Sequence, residues 1–233
     1  MLWRGPMGGG AASGKVGAMV AAHNSGGQYV RARTTPTNPN SVQQQEVRNA
    51  VRSLSARWST ILTQDQRDGW ETYAANVALT NRLGDTIHVS GIAMYTRSNV
   101  PRQQAVLPII DDAPGTFDLG EVQGTVIIAS FVEPDEGTIT LNTTADWITG
   151  ATGSENSMLL YLSRPVGPAI QFFKGPYRYV TFIDSQQATT GLWSFALPFN
   201  VQSGLGQQIY GYVRVSRGDG RLSSKFDVVN SVS

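Results

Sequence analysis

The sequence predicts an α+β chain in two parts: an extended N-terminal arm and a small helical unit, followed by an all-β sandwich of about seven strands. Three observations carry this. Glycine and proline punctuate residues 1–40, apolar residues recur at helical spacing over 41–105, and short alternating runs separated by turn residues fill 116–233. The expected boundaries are therefore 1–40 for the arm, 41–105 for the helices, 106–115 for a linker and 116–233 for the sandwich.

The arm comes first. Gly8-Gly9-Gly10, Ser13-Gly14 and Gly26-Gly27 break it, and Thr34-Thr35-Pro36-Thr37-Asn38-Pro39-Asn40 is held extended by its two prolines. Only Gln28–Arg33 reads as a strand. Such a segment cannot alone bury enough surface to offset its ordering entropy, so it is expected to order against a neighbour.

Helical spacing begins at residue 41. Asn40 or Ser41 can cap a helix carrying Val47, Val51, Leu54, Trp58 and Ile61 on one stripe. Thr63 and Gln66 form a capping box opening a second helix, with Trp70, Tyr73, Ala74 and Val77 on one face. Thr86–Val89 fits a short strand. Ser90 can cap a third helix through Ile92, Met94 and Tyr95 that stops before Pro101. Pro108, Asp111-Asp112 and Pro114 mark the linker.

The sandwich strands are expected at Thr125–Phe131, Thr138–Asn142, Met158–Ser163, Tyr177–Ile183, Leu192–Leu197, Gln208–Ser216 and Lys225–Val229. In the sixth, Ile209, Gly211, Val213 and Val215 share one face, and Tyr210, Tyr212 and Arg214 the other.

Composition narrows function. Charged residues are 15 %, against about 25 % in ordinary domains. The net charge of +1 excludes a globally basic coat, and the absence of cysteine excludes disulfides and thiolate chemistry. No apolar run reaches the ~18 residues of a membrane helix. Charge is uneven, however: residues 1–60 carry +6 and residues 113–233 carry −3. The basic part suits an acidic partner surface, with Lys15, Tyr29, Arg31 and Arg33 of the arm and Arg48 and Arg52 of the helical face as candidate contacts. Gln43–Gln45 add amides to that face.

Catalytic patterns are weak. Gly9–Val16 resembles a phosphate-binding loop but has Val16 where Ser or Thr must hold magnesium, and no buried strand precedes it. His23 and His88 lack ligand spacing. No G-x-S-x-G elbow occurs. Asp111-Asp112 and Asp135-Glu136 fit linker and turn chemistry better than a catalytic pair. Neither a catalytic residue, a metal nor a cofactor is expected. Arg217-Gly218-Asp219 lies between the last two strands, where Asp-Gly signals a hairpin turn; its alternative reading is an exposed adhesion tripeptide.

Two resemblances follow from these segments. Tyr210-Gly211-Tyr212-Val213-Arg214-Val215-Ser216 with Ser223-Ser224-Lys225 resembles the last hairpin of fibronectin type III or immunoglobulin-like modules. Ser13-Gly14-Lys15-Val16-Gly17, Asn38-Pro39, Gln45 with Arg48, Trp58 with Leu62-Thr63, Gln66-Arg67, Trp70, Ser90-Gly91, Tyr95 and Asn99 resemble tailed-bacteriophage proteins. That resemblance implies a non-enzymatic virion structural protein, a capsid decoration (cement) or tail/neck appendage subunit. It would be assembled in the host cytoplasm, with other capsid or tail subunits as partners and homo-oligomers within the assembly. The alternatives are a DNA-binding accessory protein and a host-surface or carbohydrate-binding module using Trp147, Trp193 or Tyr177. The Trp58…Leu62-Thr63…Trp70 spacing also resembles an HMG-box, but residues 63–103 carry as many acids as bases. No membrane partner is expected.

Overall fold

A computed structural model describes residues 14–24, 27–34, 38, 40–81, 83–121, 126–132, 136–141, 156–173, 175–184, 192–201 and 206–231. Helices and antiparallel sheets are both present, as the α+β class requires.

The N-terminal segment is more regular than its composition suggests. β1 (Gly14–Val16), β2 (Met19–Asn24) and β3 (Gly27–Ala32) form a three-stranded antiparallel sheet in that order, where only one strand was expected. The reason is local. Gly17, at φ +56°, supplies the positive angle of a two-residue turn with Ala18, so Val16 pairs with Met19. The Arg33 amide continues the pairing by donating to the Ala18 carbonyl at 2.7 Å. Among the described residues these strands pair only with each other.

α1 (Val42–Thr60) is capped by Ser41, which accepts from the Gln44 amide. Its buried line is Ala50 and Leu54, with Trp58 half-buried. The expected stripe is thus rotated: Val47, Val51 and Ile61 stay exposed. α2 (Gln64–Asn76) opens on the capping box. Gln66 N donates to Thr63 Oγ1, and Thr63 N donates to Gln66 Oε1 at 3.0 Å. Trp70, Tyr73, Ala74 and Val77 are all buried, as read from their spacing. β4 (Leu79–Thr80) and β5 (Thr86–Ile87) make a small ribbon leading to α3 (Gly91–Gln104).

α3 departs from expectation at both ends. Ser90 sits at the cap position without a side-chain bond; Glu71 of α2 accepts from the Gly91 amide at 2.8 Å instead. A side chain from a packed neighbour can satisfy an orphan helix donor as well as a local cap. The helix also passes through Pro101, losing one hydrogen bond. Bonds from the Ala105 amide to the Pro101 carbonyl and from the Leu107 amide to the Arg102 carbonyl close its last turn, and burial of Pro101, Arg102 and Ala105 offsets the loss. The helices share a core of Leu54, Leu62, Trp70, Tyr73, Met94 and Tyr95. Tyr95 meets Trp70 edge-on at 5.5 Å, and Trp70 meets Tyr73 likewise at 5.8 Å.

Residues 106–120 are lashed down by side chains. Asn99 donates to the Ile110 carbonyl at 3.0 Å and accepts from its amide at 2.9 Å. Trp70 Nε1 donates to the Asp111 carbonyl, and the Tyr73 hydroxyl to the Asp118 carbonyl. The Asp111 carboxylate takes two bonds from Arg57 and one from the Tyr95 hydroxyl. Asp112 accepts from Gln66. The paired acids therefore serve the strap.

Seven strands follow, close to where the alternation placed them: β6 (Val126–Val132), β7 (Glu136–Leu141), β8 (Ser157–Leu162), β9 (Arg178–Asp184), β10 (Leu192–Ala196), β11 (Gln208–Ser216) and β12 (Phe226–Ser231). One sheet has the order β10-β7-β6 and the other β12-β11-β8-β9. A core of Met158, Leu160, Leu162, Ile183, Phe195, Ile209, Val213 and Val215 lies between them, with Trp193 packed against it. Ile209, Gly211, Val213 and Val215 are buried on this side, as their alternation indicated. β8 is buried on both faces, because Leu159 and Tyr161 turn outward to a second cluster with Ala105 and Leu222. That cluster joins the end of α3 to the outer face of the four-stranded sheet.

Two predictions follow for this framework. Asn99→Ala strands the amide and carbonyl of Ile110, so it costs about 2–4 kcal/mol, read as a lowered urea midpoint. The Arg57 guanidinium, hydrogen-bonded to Asp111, holds that carboxyl below its usual range, with the Tyr95 hydroxyl adding to the effect. A depressed acid contributes stability above its unfolded value, near pH 4, and loses it as pH falls through the lower folded value. Asp111→Asn should lower stability at pH 7 and give a shallower loss on acidification, measured by thermal unfolding across a pH series.

Candidate functional site

The three-stranded sheet brings the arm residues together. Register places Lys15 opposite Val20 and Val20 opposite Arg31. Cross-strand partners point the same way, and the side-chain period is two. Lys15, Tyr29, Arg31 and Arg33 therefore share one face with Val20 and Ala22. Lys15 and Arg31, one strand apart from contact, stand about 9–10 Å from each other along the row. Lys15, Arg31 and Arg33 are exposed, and Tyr29 is half-buried. The reverse face carries Met19, Ala21, Val30 and Ala32 with His23 and Gln28 at one end, and Met19 is 55 % exposed. The sheet is thus basic on one side and mostly apolar on the other, and among the described residues none of the three hydrophobic clusters includes it.

Arg48 and Arg52 lie one turn apart on exposed α1. They differ in role. Arg48 donates to the side-chain carbonyls of Asn38 at 2.8 Å and Asn40 at 3.3 Å, so it holds the chain entering the helix. Asn40 sits there at φ +51°, a conformation its short polar side chain tolerates. Arg52 makes no hydrogen bond or ion pair with a described residue and stays open.

Arg217, Gly218 and Asp219 are drawn into the junction between the helices and the four-stranded sheet. Arg217 donates to the carbonyls of Gly120 and Glu121, the Gly218 amide donates to Asn156, and Asp219 pairs with Arg221 at 2.7 Å. Arg221 also pairs with Asp118 at 2.6 Å. Gly220, at φ +95°, lies against Trp70, Ile110 and Pro114, where a Cβ has no room to spare. Asp219 is exposed and Arg217 and Gly218 are half-buried, with donors of the arginine engaged on backbone carbonyls. Around it, Arg102 is 2 % exposed and donates to the Pro108 carbonyl at 2.7 Å and to Ser216 Oγ at 2.9 Å. Arg97 donates to the carbonyls of Leu222 and Ser223, and Arg214 to that of Ser223. Burial, with the nearby Arg214 charge adding to it, lowers the Arg97 pKa to about 10, yet the group remains a cation at neutral pH.

Of the aromatic residues considered for ligand contact, Trp193 packs into the sheet core, Tyr177 is half-buried near Tyr212, and Trp147 lies outside the described residues. Residues 1–13, with most of the phosphate-loop-like stretch, and Asp135 also lie outside them. His88 faces the Ala74 carbonyl at 3.3 Å. Among the described residues no His, Asp and Glu group could hold a metal, and no helix is long and apolar enough to cross a membrane.

Sequence reasoning passed over the tyrosines of the outer sheet face. Tyr161, Tyr179 and Tyr212 meet there from β8, β9 and β11. The Tyr210/Tyr212 and Tyr177/Tyr179 alternation was a visible signal, but only strand pairing superposes them.

Compared with protein-family models, characterised proteins and solved structures, the chain matches none.

Arg102→Ala should cost about 2–4 kcal/mol by leaving the Pro108 carbonyl and Ser216 unpaired, and Arg102→Lys should not restore it, since an ammonium lacks the planar fork. Urea unfolding of the three proteins checks this.

Proposed function

We propose that this chain is a non-enzymatic structural subunit of a tailed-bacteriophage virion, a capsid decoration (cement) or tail/neck appendage protein. Its N-terminal sheet and α1 dock on a neighbouring subunit. The helical unit and an immunoglobulin or fibronectin type III-like sandwich form the projecting body. The resemblance of residues 13–102 to phage proteins and the division of seven strands into sheets of three and four support that arrangement.

The single observation that carries the docking role is the two-faced sheet of residues 14–32. A small sheet needs its apolar face covered to be independently stable, and among the described residues the Met19, Ala21, Val30 and Ala32 side belongs to no hydrophobic cluster. Lys15, Arg31 and Arg33 on the other side favour an acidic partner, adding orientation and on-rate more than raw affinity. The low charge of the chain suits burial in an assembly, because interface cores are poor in charged residues.

A DNA-binding accessory role is the second reading. Three cations and one ring on a single sheet face would also suit phosphates and bases.

Particles purified from the encoding phage should contain the chain at fixed stoichiometry by quantitative mass spectrometry. The double variant Arg31→Glu/Arg33→Glu should lose incorporation while the purified protein keeps its unfolding temperature. Absence from particles overturns the virion reading, and normal incorporation of the double variant overturns docking by this face. A gel shift with duplex DNA that falls steeply with salt would favour the second reading.

A further inference from the structure

A furrow follows the seam where α1 and α3 meet the outer face of the four-stranded sheet. One hollow, of about 350 Å³, is lined by Tyr161, Tyr177, Tyr179 and Tyr212 together with Gln43 and Gln104. A second, of about 530 Å³, is lined by Asn49, Ser53 and Gln103. The two adjoin, because Glu46 and Gln104 line both. Their sizes fall in the range of small-ligand sites, roughly 300–1,000 Å³.

The tyrosines form one interlocked platform. Tyr161 stacks on Tyr212 at 4.8 Å, Tyr179 meets Tyr161 edge-on at 5.8 Å, and Tyr177 meets Tyr212 at 5.2 Å. Phe173 supports Tyr177, whose hydroxyl donates to the Phe173 carbonyl at 2.8 Å. Rings that brace one another present a preorganised apolar surface at little entropic cost. The hydroxyls of Tyr161, Tyr179 and Tyr212 make no hydrogen bond with a described residue. Burial pushes the Tyr179 pKa up to about 12 and raises that of Tyr212, so both keep their protons and remain donors.

The lining, more than the charge, sets the ligand class. Glu46 and Arg178 line the hollow with opposite signs, and the Lys225 ammonium lies 4.3 Å from the Tyr212 ring centre. A cationic ligand would meet Arg178 and Lys225, and the Tyr212 face is already taken by Lys225. An anionic ligand would gain from those two cations and lose against Glu46, so charge does not single it out. Apolar ring surface beside uncharged amides and hydroxyls fits a neutral ligand with apolar faces and many hydroxyls. The rest of the furrow suits it: Gln43, Asn49 and Gln104 each offer two amide donors and a carbonyl acceptor, and Gln103, held by Ser53, keeps one amide hydrogen to spare.

We propose that this furrow binds a neutral oligosaccharide, one sugar ring lying against Tyr177 and Tyr179, which Tyr161 and Tyr212 brace, and its neighbours hydrogen-bonding along the amides of α1 and α3. Neither Lys15, Arg31 nor Arg33 lines it, so the site shares α1 with the proposed docking surface but stands apart from the basic sheet face, and it does not rest on the virion reading.

The full chain is tested against an array of neutral oligosaccharides printed beside sialylated and sulfated glycans and proline-rich peptides. A neutral hit is then titrated calorimetrically. Neutral oligosaccharides should bind, and Tyr179→Ala and Gln104→Ala should each weaken the hit about tenfold. Arg31→Glu should leave it unchanged. Gln104 is half-exposed, so its variant tests the site even if Tyr179→Ala fails to fold. An array without neutral hits, a preference for charged glycans or for the peptides, or full affinity in Gln104→Ala overturns the proposal.

Discussion

Arginine side chains bonded to backbone carbonyls hold the centre of this protein. Arg102 reaches the strap at Pro108 and the sheet at Ser216 from a helix position that is almost fully buried. Arg97, Arg214 and Arg217 repeat the device at Leu222, Ser223, Gly120 and Glu121. A guanidinium suits this work because its five donors fan out in one plane and it cannot lose its charge. Irregular backbone between a helical core and a sheet exposes carbonyls that neither structure can pair, and an unpaired buried carbonyl is costly. Here Arg97, Arg102 and Arg217 each answer two of them, and Arg214 one.

That junction shapes what the surface can do. Bringing α1 and α3 against the sheet leaves a seam floored by tyrosines, and Gly220, which follows the Arg217-Gly218-Asp219 turn, packs against Trp70 and the strap. The N-terminal sheet follows another logic. It satisfies its own backbone by pairing, yet among the described residues it contributes no side chain to any of the three cores. One molecule thus carries two distinct kinds of surface, a charged amphipathic ribbon and an aromatic, amide-lined furrow.

Much of this was legible one residue at a time. The Thr63 and Gln66 box, the Trp70–Val77 face and the alternation in β11 need only near neighbours, and each stands where its spacing put it. The misreadings came where a distant group supplied the answer. Glu71 replaced Ser90 as the cap of α3, burial against the sheet carried that helix through Pro101, and packing chose Ala50 rather than Val47 and Val51 for the inner side of α1.

Periodicity and turn chemistry by themselves determined the helices, the seven strands of the C-terminal half and the uneven charge, because those properties depend on residues a few positions apart. Tertiary structure alone decided that Lys15, Tyr29, Arg31 and Arg33 share a face, that Asp111 and Asp112 anchor a strap, and that four tyrosines form one platform. Strand register and the crossing of helix on sheet create these neighbours, and no spacing along the chain encodes a distance between segments that far apart.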